Sequence, residues 1–264
     1  MFFKCYSLIF LLITSTFPTI AQAQPARNVD PVAVDTVAPE TFVPPSGNYK
    51  LIHYKPRLIA KLPVRINETS GLVFINNTLW TINDGGNPAE IFQVDTLNGE
   101  VLRTVVLGNA VNTDWESITQ DDSSIYIGDF GNNFGNRTDL RILKIVKADL
   151  LNSSVDTVMA GYIYFSYPDQ VDFTPALNQN NFDCEAFFCH NDSLHLFSKN
   201  WTDLKTRHYM LPADTGTYKA RLIEQFDADG FITDASINEE GNIVLLGYKN
   251  TGGRMWDCFC WLLP

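Results

Sequence analysis

From Tyr49 onward, short runs rich in Val, Ile, Leu, Phe, Tyr and Thr alternate with Gly, Asn and Asp clusters. No stretch keeps a helical period over three turns, so the pattern predicts strands joined by turns. Residues 70–75 and 78–83 read as two strands, Asp84-Gly85-Gly86-Asn87 as a turn, and 90–95 as a third strand. Asn98-Gly99 reads as a hairpin turn, and 100–107 as a fourth strand. The order then repeats. Residues 116–120, 124–128, 139–146 and 158–166 make a second unit, with a turn at Asp129-Phe130-Gly131-Asn132 and one helical turn within 147–157. Residues 185–189, 193–199, 206–211 and 219–226 make a third. Residues 234–238, 242–248 and 256–262 make a fourth.

A phrase recurs at the head of each unit: E-T-S-G-L at 68–72, W-E-S-I at 115–118, D-C-E-A-F at 183–187 and T-D-A-S-I at 233–237. Its acids, Glu68, Glu116, Glu185 and Asp234, are 48, 69 and 49 residues apart. Four strands per unit at a spacing of roughly 40–50 residues predict an all-β fold, a β-propeller of four-stranded antiparallel blades. The expected blades lie near 66–110, 114–167, 183–228 and 232–264, within a domain spanning 49–264. Residues 49–61 hold one or two further strands, which either close a small ring onto the last unit or precede a ring that the chain leaves incomplete. In a propeller the first strands begin on the face where the second strands end. The acids and the two D-x-G-N turns therefore converge on one mouth.

Residues 1–23 read as a signal peptide. Lys4 supplies the positive region, residues 8–13 the centre of the apolar region, and Ala21-Gln22-Ala23 the cleavage site. The apolar run is far short of the roughly 20 residues that span a bilayer, so secretion or a periplasmic location is expected and a membrane span is not. Residues 24–48, with Pro25, Pro31, Pro39, Pro44 and Pro45, read as a linker. The formal net charge is −11, and cleavage removes a cation and no acid. Such a chain repels nucleic acid and anionic membranes. Of the cysteines left after cleavage, Cys184 and Cys189 differ in strand parity and so face opposite sides of a regular strand, whereas Cys258 and Cys260 share a face. Buried free thiols are the default expectation.

The strongest constellation is acidic: Glu68, Asp84, Asp114, Glu116, Asp129, Asp183, Glu185 and Asp234. Carboxylates gathered at one mouth must bind a cation, pair with Arg or Lys, or take up protons. An all-oxygen set suits Ca²⁺, and Asn87, Asn132 and Asn133 could add neutral oxygens. The structural alternative has each acid fixing a blade junction through backbone N–H groups. Arg137 and Lys199 are the candidate counter-charges. Trp115, beside Glu116, either lines the mouth or wedges between blades. Trp115, Asn133, Arg137 and Lys199 are the candidate ligand-binding residues. No G-x-S-x-G elbow, P-loop or H-E-x-x-H occurs, the histidines are scattered, and no catalytic residue is assigned. Trp80, Tyr126 and Phe197 occupy matching places in second strands, which predicts packing between blades.

The blocks L-W-T-I-N-D-G-G-N, D-W-E-S-I, I-Y-I-G-D-F-G-N-N, F-D-C-E-A-F-F, L-F-S-K-N-W and I-T-D-A give the chain, over about 66–262, a resemblance to secreted Bacteroidetes β-propeller proteins. These are related in texture to the SdiA-regulated and esterase-like phytase propellers. That resemblance implies a six-bladed ring, of which this chain would carry about four blades. The expected function is a binding or scaffold protein for a small ligand or protein partner, with an acidic mouth able to hold Ca²⁺. The alternative is a phytase-like, metal-dependent phosphoesterase, which requires Lys or Arg beside the acids to receive phosphate.

Overall fold

A computed structural model describes residues 57–250 and 256–263. The expected signal peptide, the linker and the start of the 49–61 segment lie outside the described residues. Residues 57–63 form no strand, and a short 3-10 turn follows at Val64–Ile66.

The rest is a four-bladed β-propeller of largely antiparallel sheets. Blade 1 is β1 (Thr69–Ile75), β2 (Thr78–Asn83), β3 (Glu90–Val94) and β4 (Val101–Leu107). Blade 2 is β5 (Trp115–Gln120), β6 (Ser124–Asp129), β7 (Arg141–Val146) and, after helix α1 (Lys147–Leu151) and the two-residue β8 (Thr157–Val158), β9 (Gly161–Ser166). Blade 3 is β10 (Asp183–His190), β11 (Ser193–Lys199), β12 (Thr206–Pro212) and, after β13 (Gly216–Lys219), β14 (Arg221–Phe226). Blade 4 has β15 (Phe231–Ile237), β16 (Ile243–Asn250) and β17 (Trp256–Leu263) among the described residues. The short strands β8 and β13 leave their own blades. Each pairs in parallel with the outer strand of the blade before it, β8 with β4 and β13 with β9. These hooks cover outer edges that would otherwise offer unpaired backbone groups.

Inner strands pack consecutively, β1 on β5, β5 on β10 and β10 on β15. Among the described residues no comparable packing joins β15 to β1. Alternation along each strand feeds three apolar cores. Trp80 and Trp115 lie between blades 1 and 2, Tyr126 and Phe187 between blades 2 and 3, and Phe197 and Ile232 between blades 3 and 4. Each such large side chain, once buried, contributes about 1.5–3 kcal/mol. On the outer face of blade 1, Leu62 and Ile66 pack against Leu79, Phe92 and Val94.

One irregularity repeats in all four inner strands. The pairing with the second strand slips between Thr69 and Gly71, between Trp115 and Ser117, between Cys184 and Ala186, and between Ile232 and Asp234. A bulge leaves one residue unpaired and re-aims its side chain. The bulged residues are Ser70, Glu116, Glu185 and Thr233. This register corrects the sequence alignment of the blades. Glu116 and Glu185 are equivalent, but Glu68 lies two residues before the equivalent place and Asp234 one residue after it. The bulge also corrects the parity argument for cysteine: Cys184 and Cys189 share the core between blades 2 and 3. All four described cysteines are free thiols, Cys184 and Cys189 buried, Cys258 and Cys260 exposed.

Candidate metal centre in the hub

The register defines three equivalent places at the hub end of each blade. Two residues before the bulge stand Glu68, Asp114, Asp183 and Phe231. The bulge holds Ser70, Glu116, Glu185 and Thr233. On the second strand side, at the register positions facing those four residues, stand Asp84, Phe130, Lys199 and Tyr248. The two D-x-G-N turns are therefore not equivalent. Asp84 takes the place of Phe130, and Asp129 takes the place of Asn83.

This offset brings Asp84 of blade 1 to Asp114 and Glu116 of blade 2. One oxygen from each lies within 4.8 Å of the others. Two glycines make room for them. A Cβ at Gly85 would stand 2.4 Å from Asp114 Oδ1, and one at Gly131 would stand 2.3 Å from Asp114 Oδ2 and 2.5 Å from Glu116 Oε1. Gly131 is thus required by close approach to carboxylates. Gly86, in the other turn, has φ +82 and open space around it, so its requirement is conformational. Backbone bonds fix the loops. Asn112 Nδ2 donates to the carbonyls of Asn83 and Asp84 at 3.1 and 2.8 Å, and its Oδ1 accepts from Trp115 N at 3.1 Å. Asp84 Oδ1 accepts from Gly85 N at 2.6 Å.

Unscreened by a cation, each pair of charges in the triad repels by about 3–4 kcal/mol at an effective dielectric near 20. The consequence falls on Glu116. Burial, and then the charges of Glu185, Asp84, Asp114 and Asp183, push its carboxyl well above the usual range. Burial also raises Asp183 and Glu185, against the opposing pull of Lys199 on both. The donor set is all oxygen, held by backbone and lined by glycine, and it fits a hard divalent cation such as Ca²⁺.

The other expected ligands are held elsewhere. Glu68 Oε2 accepts from Asn87 Nδ2 at 2.8 Å. Asp129, fully buried, pairs with Arg137 at 3.0 Å and Arg141 at 2.7 Å and accepts from Asp114 N. Asp183 accepts from Asn132 N at 2.7 Å and Trp201 Nε1 at 2.8 Å. Glu185 pairs with Lys199 at 2.5 Å. Asp234 accepts from Ser117 Oγ at 3.0 Å, joining blade 4 to blade 2 across the hub, and burial lifts its carboxyl to about 6. Asn132 Oδ1 accepts from Arg137 N, so that oxygen is committed to its own loop.

Among the expected ligand-binding residues, Trp115 requires correction. It wedges between blades 1 and 2, fully buried in the core there, and presents no surface to a ligand. Asn133 lies at a loop junction, where its carbonyl accepts from Asn178 N and Asn180 Nδ2. Arg137 braces Asp129 and Asp139. Lys199 is buried at the hub, its ammonium 4.5 Å from the Trp201 ring centre, 5.4 Å from Tyr248 and 5.9 Å from Phe231. Glu185, Tyr248 and Asp183 hold it protonated against the opposing effect of burial.

Sequence reasoning missed Asn112, Arg141 and Trp201. Arg141 had a readable signal, since Arg137-Thr138-Asp139-Leu140-Arg141 places two cations on one side of a predicted strand start, next to the buried Asp129.

No family model matches the chain, and no curated protein matches it. Among solved structures it is similar to RS223 beta-xylosidase, at 10% identity over 72% of this chain and 68% of that one, TM-score 0.45. It is also similar to hydrazine synthase of Kuenenia stuttgartiensis, at 10% identity over 74% and 50%, TM-score 0.40. A third is the C-terminal WD40 domain of Sif2, at 14% identity over 73% and 45%, TM-score 0.34. The chain spans about half the length of the last two. Its own topology defines it as an all-β propeller with four described blades and an acidic hub.

Proposed function

We propose that this protein is a secreted, non-catalytic β-propeller that binds a ligand or protein partner at its acidic hub, with Ca²⁺ held by Asp84, Asp114 and Glu116. The convergence of those three carboxylates over Gly85 and Gly131 carries the reading. When bound, the ion would supply a fixed positive charge that offsets their repulsion. The protein's own contribution is to hold the oxygens in place through Asn112 and the loop backbones. Location outside the cytoplasm rests on the expected N-terminal signal of residues 1–23 and is part of the same proposal.

The phosphoesterase alternative requires cations free to receive phosphate. Arg137 is paired with Asp129 and Asp139, Lys199 with Glu185, and Lys249 with Asp229. These pairings favour a binding role over hydrolysis. Thermal melts of the mature chain in Ca²⁺ and in EGTA test the metal; a ligand of the native state raises the midpoint as its concentration exceeds Kd. An unchanged midpoint would reject the site. Ca²⁺-dependent hydrolysis of p-nitrophenyl phosphate would instead restore the enzyme reading.

A further inference from the structure

Blade 4 carries a dithiol that plays no part in the hub. Strand β17 reads Trp256-Asp257-Cys258-Phe259-Cys260-Trp261-Leu262-Leu263. Cys258 stands opposite Tyr248 on β16, and Cys260 opposite Leu246. Side chains alternate along a strand, so Cys258, Cys260 and Leu262 share one face. Both cysteines are exposed and reduced, and Leu262 is 66% exposed. Phe259, Trp261 and Leu263 point the other way, into the core between blades 3 and 4. Among the described residues β17 is also the outer strand of its sheet, in the order β15-β16-β17. An outer strand presents backbone groups to which another chain can pair.

Thiols exposed outside the cytoplasm are open to oxidation. Cys258 and Cys260 are poorly placed to bridge each other. A disulfide needs Cβ atoms about 3.5–4.5 Å apart. Residues two apart on a strand stand roughly 6.4–6.8 Å apart, with side chains projecting in parallel. Cys184 and Cys189 are buried between blades 2 and 3 and offer no alternative.

We propose that β17 is a dimerisation strand: two copies of this chain pair it antiparallel about a two-fold axis at Phe259 and are joined there by two disulfides. In that register Cys258 of each copy faces Cys260 of the other, all on one face of the joined sheet. Side chains directly opposite in an antiparallel pair have Cβ atoms about 4.5–5.5 Å apart, a small adjustment from bridging distance. One axis serves both thiols because they flank a single residue, and that spacing selects a second copy as the partner. Each bridge forms by two exchanges with an external disulfide such as oxidised glutathione. A thiolate of one copy attacks it and expels one glutathione thiolate. The facing thiolate of the other copy attacks the protein sulfur of the mixed disulfide and expels the second. Two protein thiols are oxidised, one glutathione disulfide is reduced to two thiols, and these take up the protons released. Partial burial, then Cys258 and Asp234, push the Cys260 thiol up, so the exchange quickens as pH rises. Oxidation in place rests on the proposed export, whereas the strand pairing does not, and neither depends on the metal centre.

The test mixes isotope-labelled and unlabelled mature protein, purified reduced, with excess oxidised glutathione in mildly alkaline buffer containing EGTA. Non-reducing electrophoresis should show a doubled mass that dithiothreitol reverses. Peptide mass spectrometry should find Cys258 linked to Cys260 in labelled–unlabelled hybrids, which only a bond between copies produces. Cys258→Ser and Cys260→Ser should each cut the dimer at least tenfold, because every bridge needs both positions. Melting temperatures in dithiothreitol should match that of wild type, since both positions are exposed. A wild-type protein that stays monomeric, whether glutathione-capped or linked Cys258 to Cys260 within one copy, would overturn the proposal. So would single variants that dimerise as fully as wild type, which would contradict the register.

Discussion

Gly131 lies against Glu116 so closely that a Cβ on the glycine would stand 2.5 Å from the carboxylate Oε1. The glycine therefore sets where the acid sits. Gly131→Ala should displace Glu116 and Asp114 and weaken Ca²⁺ binding at least tenfold, measured by terbium luminescence and Ca²⁺ competition. Asp114 Oδ2 would be met at 2.3 Å, so both ligands must shift. Retained affinity would show that the two carboxylates do not share an ion there.

Asp129 tests whether acids outside the triad hold structure instead of metal. It is fully buried between Arg137 and Arg141. Asp129→Asn removes one partner of a buried ion-pair network and should destabilise the fold by about 3–5 kcal/mol, read from urea unfolding. A variant that is as stable as wild type but loses Ca²⁺ would assign Asp129 to the metal centre.

Asp234 gives the hub a distinctive pH dependence. Its folded carboxyl, raised by burial to about 6, binds a proton more readily than the unfolded group, whose ordinary value is 3.8. The native state therefore holds more protons between those values, and the cost of the buried charge is relieved as pH falls from above 6 toward 4. Asp234→Asn should raise metal-free stability at pH 7.5 by about 3 kcal/mol and flatten the slope between pH 6 and 4. The Ser117 hydroxyl keeps an acceptor in that variant. An unchanged slope would contradict the assignment.

The histidines of blade 3 act with the opposite sign. His195 Nδ1 and His208 Nε2 lie 2.9 Å apart, stacked on Phe188 and Phe197, with Glu224 at 3.4 Å from His208. Burial, then His190 and Arg221, lowers His195 to about 4; burial, then His195 and Arg221, lowers His208 to about 3. Unfolded histidines protonate below about 6.5, so this pair removes stability as pH drops below that value. His208→Gln should lessen the loss in urea midpoint between pH 7 and 4.5. A larger loss would show that the pair is protonated in the native state.

Strand β1 was legible because alternate residues are buried, which writes a period of two, and β2 and β6, buried at nearly every residue, were legible as short apolar runs bounded by turn residues. The blade phase was not, because a bulge adds one residue without leaving a mark in composition. Counting by parity therefore put Cys184 and Cys189 on opposite faces, and matching the recurring phrase grouped Glu68 and Asp234 with Glu116 and Glu185. The shared D-x-G-N motif aligned Asp84 with Asp129, although only Asp84 joins the triad. Strands β8 and β13 were hidden for another reason. Each belongs in sequence to one blade and in pairing to the blade before it.

The most direct test of the account is a calorimetric titration of the mature protein with Ca²⁺, alongside Asp84→Asn and Glu116→Gln. A saturable isotherm in the wild type, lost or weakened at least tenfold in both variants while their folds persist, is the predicted result. Absence of binding in the wild type, or equal binding in all three proteins, would contradict a cation site built by these carboxylates.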